Sequence, residues 1–334
     1  MNSITQMNKV TVLLPIHGPA PFLMDTLLSI CKQDFSDFSC LLILDRVRDD
    51  TKSIIESFCR TNSNFMFINS KGIGISDALN TGLSMVETQF VARVDSDDLM
   101  EPHRLSRQME FMKSNSDIAL LGTQIQFINE HGEHQRNSNY VTSSKKIAKL
   151  LPIRNTVAHP SVMFRSSTII AIGGYDSTFD GCEDYHLWLK VCTSNKIENL
   201  DETLTKYRQH SQQITNKSKG EKFYLESLAR LDVLLGLSEI EKKQIKQSNN
   251  SLQELKKIRR AVIIRNFKRH RFKLRVLLNS DFLNRILTDK QSRPVFSIYL
   301  YRTGYLILSV LSAPFRTMDF MLISIREFKR RRIG

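Results

Sequence analysis

Short apolar runs recur along the first third of the chain, each followed by a stretch with helical spacing. Val10-Thr-Val-Leu-Leu14, stopped by Pro15, reads as a strand, and after the Pro19-Ala-Pro21 loop Phe22, Leu23, Thr26, Leu27 and Ile30 fall on one helical face. Cys40-Leu-Leu-Ile-Leu44 is a second strand, ending in Asp45-Arg-Val-Arg-Asp-Asp-Thr51 before a helix through Ile54, Ile55 and Phe58. Phe65 to Ile68 is a third, followed by Lys71-Gly-Ile-Gly74 and a helix capped by Ser76 or Asp77 that carries Ala78, Leu79, Leu83 and Val86. Phe90 to Val94 is a fourth, with a helix from about Pro102 to Lys113 after it. Strands alternating with helices of this length predict an α/β fold, a mainly parallel sheet with helices on both faces.

From Ile118 the pattern changes. Ile118 to Leu121 and Gln124 to Ile128 read as two strands, His131-Gly132 as a turn and Ser144 to Leu151 as a short helix. Val157 to Phe164 reads as a strand interrupted by Pro160, hence an edge or a bulge. After the Gly173-Gly-Tyr-Asp176 turn, Leu187, Trp188, Leu189 and Val191 mark a buried helix with Glu183 and Asp184 at its N-terminus. Further on, Glu221 to Leu237 is helical and Leu255 to Leu278 is an amphipathic basic helix. Val295 to Phe315 is apolar but broken by Arg302, Gly304 and Pro314, a poor spanning helix.

Charge divides the 334 residues in two. Residues 1 to 215 hold 21 Lys and Arg against 24 Asp and Glu, net −3; residues 216 to 334 hold 27 against 10, net +17, which together make the +14 of the chain. The whole basic excess lies in the tail, where apolar faces and the closing Arg326-Glu-Phe-Lys-Arg-Arg-Arg-Ile333 fit peripheral binding to an anionic membrane surface; a helical subdomain with a solvated basic face is the alternative. The five cysteines are odd in number and lack zinc or C-x-x-C spacing, so reduced thiols are expected. The N-terminal residues lack the apolar core of a signal peptide, and the expected location is cytoplasmic, peripheral on the inner face of the membrane.

The fourth strand delivers Asp95, Asp97 and Asp98 at its end. Burying such like charges without a counter-ion costs several kcal/mol apiece. In extended backbone Asp95 and Asp97 point to the same side, which suits a hard divalent cation with oxygen ligands; Asp97 or Asp98 as a helix cap is the competing reading. His17, Asp45 and Lys71 also fall just after strands, so one sheet edge gathers them with the acids into a crevice, where ligands of such sheets bind. Gly72-Ile-Gly74 lacks the full G-x-G-x-x-G or P-loop spacing, which argues against a classical dinucleotide or Walker site. The helix dipole by itself accounts for Glu183 and Asp184 at this position, with chemistry as the competing reading.

Taken in order, these stretches resemble the family 2 glycosyltransferases of the GT-A (Rossmann-like) fold. The matching residues are Leu13-Leu-Pro-Ile-His17, the Asp45 strand end, Ala78-Leu-Asn-Thr-Gly82, Ala92-Arg-Val-Asp-Ser-Asp-Asp98 with Arg104 and Gln108, His159-Pro-Ser-Val-Met-Phe-Arg165, Gly173-Gly-Tyr-Asp176, Glu183-Asp184 with Trp188, and Tyr207-Arg-Gln-His210. The resemblance covers residues 9 to 215 as a nucleotide-sugar-binding and catalytic domain and leaves 216 to 334 as a helical basic C-terminal region. It implies transfer from a nucleotide-diphosphate sugar, a UDP-sugar first, to a saccharide or lipid-linked saccharide with inversion, in cell-surface polysaccharide synthesis.

By the same resemblance, Pro15, His17, Asp45, Lys71, Asn80, Arg93, Asp95, Asp97 and Arg208 bind the nucleotide sugar, Asp97 and Asp95 hold Mg²⁺ or Mn²⁺ with Asp98 in support, and Asp184 is the catalytic base. Arg208 and His210 lie where that family often places a loop over the diphosphate; His159 reads as structural or as a contact to the diphosphate or the acceptor, and Lys71 reads equally as a solvated turn lysine. One departure stands out. The family commonly has two acids and a Gly-Ser turn after its second strand, whereas Asp45 is followed here by Arg46-Val-Arg48; Asp45 can still accept from a nucleobase N–H, and an extra arginine could meet a donor carboxylate or phosphate. A sugar-phosphate nucleotidyltransferase would also use clustered carboxylates and a metal. Nucleic-acid binding has only the tail's charge behind it, and no nucleic-acid partner is expected.

Overall fold

The first four apolar runs become strands because covered faces hold them. In a computed structural model that describes residues 9–211, 219–249, 251–259 and 261–262, they are β1 (Val10–His17), β2 (Phe38–Asp45), β3 (Phe65–Asn69) and β4 (Phe90–Arg93). Between them run α1 (Leu23–Cys31), α2 (Asp49–Thr61) and α3 (Ile75–Leu83), and α4 (Arg104–Ser114) follows. Alternation along β1 divides its side chains: Val10, Val12, Leu14 and Ile16 join one core with Leu23, Leu27, Ile30, Ile55 and Leu105. Leu13 faces the other way with Ile43 of β2, close against Gly82 of α3, where a Cβ would come within 3.0 Å of Ile43. Helices therefore cover both faces, as the pattern predicts.

The remaining elements are β5 (Leu99–Met100), β6 (Ile118–Ile128), β7 (His134–Asn137), α5 (Ser144–Leu150), β8 (Met163–Arg165), α6 (Ser166–Ala171), α7 (Glu183–Val191), β9 (Lys196–Arg208), α8 (Lys219–Leu235) and α9 (Glu239–Gln247). The sheet runs β3-β2-β1-β4-β8-β6-β9-β5, with β7 paired to β6 off this path. β3, β2, β1 and β4 are parallel, as are β6 and β9; β8 is antiparallel to both neighbours and β5 to β9. The described residues up to Arg259 form one compact unit, in which α8 packs on α7.

Several local expectations change. Ile118–Ile128 is one strand rather than two, with register shifts against β9 around Gly122 and Gln124. Pro160 opens a 3-10 turn, His159–Ser161, and shortens the strand after it to β8. Neither Asp97 nor Asp98 caps a helix, because Leu99-Met100 pairs with β9 instead. The long β9 has no clear period-two pattern and is recognisable only by its partner strands. Helix α3 begins at Ile75 behind Gly74, whose φ of 101° suits glycine, rather than behind Ser76 or Asp77. All five cysteines are free. No helix of the described residues is long and apolar enough to cross a membrane. Most of Leu255 to Leu278, and all of Val295 to Phe315 and Arg326 to Ile333, lie outside the described residues.

Arg104 and Gln108 of α4 tie the end of β4 to the second half of the sheet. Both are fully buried. Arg104 Nη2 donates to the carbonyls of Arg93 (2.7 Å) and Val162 (3.2 Å), and Gln108 Nε2 to those of Leu121 (3.1 Å) and Ser161 (2.9 Å). Replacing Gln108 by Ala leaves two buried carbonyls without this donor, so a loss of about 1–3 kcal/mol is expected in urea unfolding.

Candidate functional site

The parallel strands all end at one edge, and their last residues form the floor of a cavity of about 470 Å³. Register places His17 beside Asp45. Pro15, Ile16 and His17 come from β1, Pro19 to Phe22 from the loop before α1, Asp45 from the end of β2, Arg46 from the turn after it, and Asp95 to Asp97 from the loop after β4; Gly74, Ile75 and Ala78 of the α3 start, Asp180 and Gly181, and Tyr207 and His210 complete the wall.

One end is organised by Asp45, which is 5% exposed. Its Oδ2 lies 3.1 Å from His17 Nδ1 and accepts the Gly74 N–H at 3.0 Å; its Oδ1 accepts from Arg46 Nε at 3.1 Å. Burial favours the protonated acid, but Arg46, the Gly74 N–H and His17 outweigh it and hold the pKa below the ordinary carboxylate value.

The other end lies two strands away, across β1. Asp95 and Asp97 line the cavity, while Asp98 is wholly buried behind them. Carboxylate oxygens of all three lie within 4.8 Å of one another. Burial, opposed by Arg93 and reinforced by Asp97 and Asp184, pushes Asp95 up to about 6. Asp98 is also raised well above the ordinary carboxylate value, by burial and by its two acidic neighbours. Arg93, itself buried, forks onto Asp95, with Nη1 2.5 Å from Oδ2. Asp98 Oδ1 accepts the Arg208 N–H at 2.8 Å, and its Oδ2 has no hydrogen-bond partner among the described residues. Crowded carboxylates with an unpartnered buried oxygen are what a hard divalent cation would satisfy, so the residues fit one. His210, 2.9 Å from Asp97 Oδ2 and set against Phe22, adds an imidazole to this end.

Asp184, in the first turn of α7, is not part of the cavity wall but is near enough to act on Asp95. Asn155 Nδ2 donates to its Oδ2 at 2.7 Å. Burial raises its pKa against the pull of Lys222 on α8, the Tyr185 N–H, Asn155 and Arg93. Its neighbour Glu183 is pushed to about 7 by burial and by Asp184, although it accepts the Gly181 N–H.

Other expected site residues lie elsewhere. Lys71 is exposed outside the cavity wall, in the turn before α3. Asn80 clamps the Gly173-Gly174 turn, donating to the Tyr175 carbonyl (2.8 Å) and accepting its N–H (2.9 Å). Arg208 is the last residue of β9 rather than part of a loop, and is buried; its guanidinium donates to the Asp97 and Glu130 carbonyls and reaches Asp25. His159 is buried, 2.9 Å from Tyr175 Oη and 3.6 Å from Glu183, and burial drives its pKa well down, so it is a neutral strut. Sequence reasoning left out Asp180, which lines the cavity from before α7 and accepts a hydrogen bond from Ser76 Oγ of α3; nothing in its local pattern marks it.

The profile described as "Glycosyl transferase family 2" matches residues 11–171. The O-antigen biosynthesis glycosyltransferase WbnJ of Escherichia coli is 33% identical over 225 residues, 65% of this chain and 85% of that one. An Escherichia coli UDP-Gal:alpha-D-GlcNAc-diphosphoundecaprenol beta-1,3-galactosyltransferase is 30% identical over 199 residues, 58% of this chain and 72% of that one. Among solved structures, S. aureus TarS 1-349 in complex with UDP-GlcNAc superposes with a TM-score of 0.56 at 19% identity, over 88% of this chain and 80% of that one, a likeness of fold.

Glu183 yields a stability prediction. A carboxyl raised from 4.5 to about 7 on folding binds more protons in the folded state across that interval. Its contribution is therefore complete below pH 4.5 and is lost as pH rises through about 7. Urea midpoints across this window should fall less steeply with pH in Glu183→Gln than in the wild type.

Proposed function

Because the chain belongs to glycosyl transferase family 2, and is therefore a glycosyltransferase, we propose that it moves a sugar from a UDP-sugar to a lipid-linked saccharide, with inversion and with Mg²⁺ or Mn²⁺, in polysaccharide assembly. The observation that carries this reading is the two-ended cavity. Strand spacing of about 4.8 Å sets the β2 and β4 ends about 10 Å apart, the reach of a nucleoside diphosphate from base edge to phosphates. Asp45 then takes the base, and the Asp95–Asp98 cluster takes the diphosphate end with its metal. The relatives support the substrates: one is named for UDP-Gal and a diphosphoundecaprenol-linked sugar.

Within this scheme Asp97, Asp95 and Asp98 would hold the ion, with His210 beside Asp97. A bound divalent ion supplies charge stabilisation for the departing diphosphate. Arg93 orients Asp95, and the Arg208 backbone fixes Asp98. Asp184 accepts the proton of the acceptor hydroxyl as its oxygen bonds to the anomeric carbon from the face opposite the diphosphate. The raised pKa of Asp184 makes it a stronger base once ionised. The acceptor side lies toward α7 and α8, and a peripheral position on an anionic membrane is consistent with a lipid-linked acceptor.

Two substitutions test this assignment separately. Asp184→Asn should lower transfer from a UDP-sugar by about 10²- to 10⁴-fold, the worth of a general base, while UDP binding by calorimetry stays within a few-fold. Asp97→Asn should abolish the dependence of UDP binding on Mn²⁺. Full turnover in the first variant, or metal-dependent binding retained in the second, would overturn the corresponding role.

A further inference from the structure

Arg46 is the unusual residue of the cavity. Its φ is 51°, the left-handed region that a non-glycine residue enters at a cost. The turn has a consequence: Val47 tucks against the core while the Arg46 side chain, 57% exposed, stands in the cavity wall with its Nε on Asp45. Among the described residues no hydrogen bond of its two Nη groups is observed.

Counting lone pairs defines what this pair offers. An ionised carboxylate has about four acceptor positions. Two at Oδ2 face His17 Nδ1 and the Gly74 N–H, and one at Oδ1 takes Arg46 Nε. One acceptor position remains, beside the free Nη donors. The ligand edge that fits is a single N–H next to a carbonyl oxygen.

We infer that Arg46 selects the nucleobase, donating from its Nη groups to the C4 carbonyl of a uracil ring whose N3–H is accepted by Asp45. The inference rests on the reading of this cavity as a nucleotide-sugar site and adds a specificity residue to it. Guanine presents two adjacent N–H groups to a carboxylate, and Asp45 has no second acceptor for them. Cytosine carries the opposite polarity at the same two ring positions, an amino group for the carbonyl and a bare nitrogen for the N–H. One seating of the ring therefore sets donor against donor and acceptor against acceptor.

Arg46→Gly is the discriminating variant, because glycine accepts a φ of 51° and removes only the side chain. Calorimetry on the full chain would use UDP, CDP and GDP with Mn²⁺, and uridine 5′-monophosphate without metal. The wild type should prefer UDP to CDP and GDP by about tenfold or more, the worth of a charge-assisted hydrogen bond. The variant should lose about tenfold for UDP and for uridine monophosphate alike, change little for CDP, and keep its unfolding midpoint. UDP binding indifferent to the substitution, or a loss confined to diphosphates with metal, overturns the assignment. A wild type that binds none of the nucleotides overturns the donor-site reading as well.

Discussion

Mutual repulsion among Asp95, Asp97 and Asp98 is the constraint around which the fold is arranged. Three carboxylates at the end of a buried strand are tolerated only because each meets a different partner: the Arg93 guanidinium, the His210 imidazole and the Arg208 N–H. Two of those partners come from the end of β9, so the strand farthest along the chain from β4 is the one that holds the cluster in place. The short β5 closes the arrangement by pairing with β9 and drawing Asp98 inward. Asp98 still has an oxygen without a partner among the described residues, and the cluster as a whole is short of positive charge. Such a deficit is what a divalent ion and a diphosphate with it would correct.

The helices beyond β9 have a related task. Helix α7 carries Asp184, and its next turn is fastened to α8: His186 Nε2 lies 2.8 Å from Asp232, and Arg230 Nη1 donates to Tyr185 Oη at 2.9 Å. Asp176, His186 and Asp232 have the spacing of a metal-binding trio, but the Lys242 ammonium of α9 already lies 2.8 Å from Asp176 and 3.7 Å from Asp232. That cation holds Asp176 ionised, at about 2, while Asp232 is held below the ordinary carboxylate value by His186, the Leu237 N–H and Lys242. The trio is thus a brace that locks α7 to α8 and α9.

Much of this was legible in the chain itself. The alternation of apolar runs with helical stretches determined the parallel half of the sheet, because covered strands must be apolar on both faces and their connections must cross over it. The same logic located His17, Asp45 and the Asp95–Asp98 triplet at one edge, since each directly follows a strand. The buried α7 with Glu183 and Asp184 at its start was likewise readable from its spacing.

What the sequence could not decide depends on partners distant along the chain. Asn80, Arg208 and His159 are polar residues near motifs, and only packing shows that their hydrogen bonds are spent on the Tyr175 backbone, on the acidic loop and on the Tyr175 hydroxyl. The strand β9 has weak local periodicity and forms because β6 and β5 offer it pairing. The left-handed turn at Arg46 arises where Val47 must reach the core while Asp45 stays in the cavity. The local pattern of side chains set which elements form and where they end; long-range hydrogen bonding and the burial of charge set which of their polar residues remain free for chemistry.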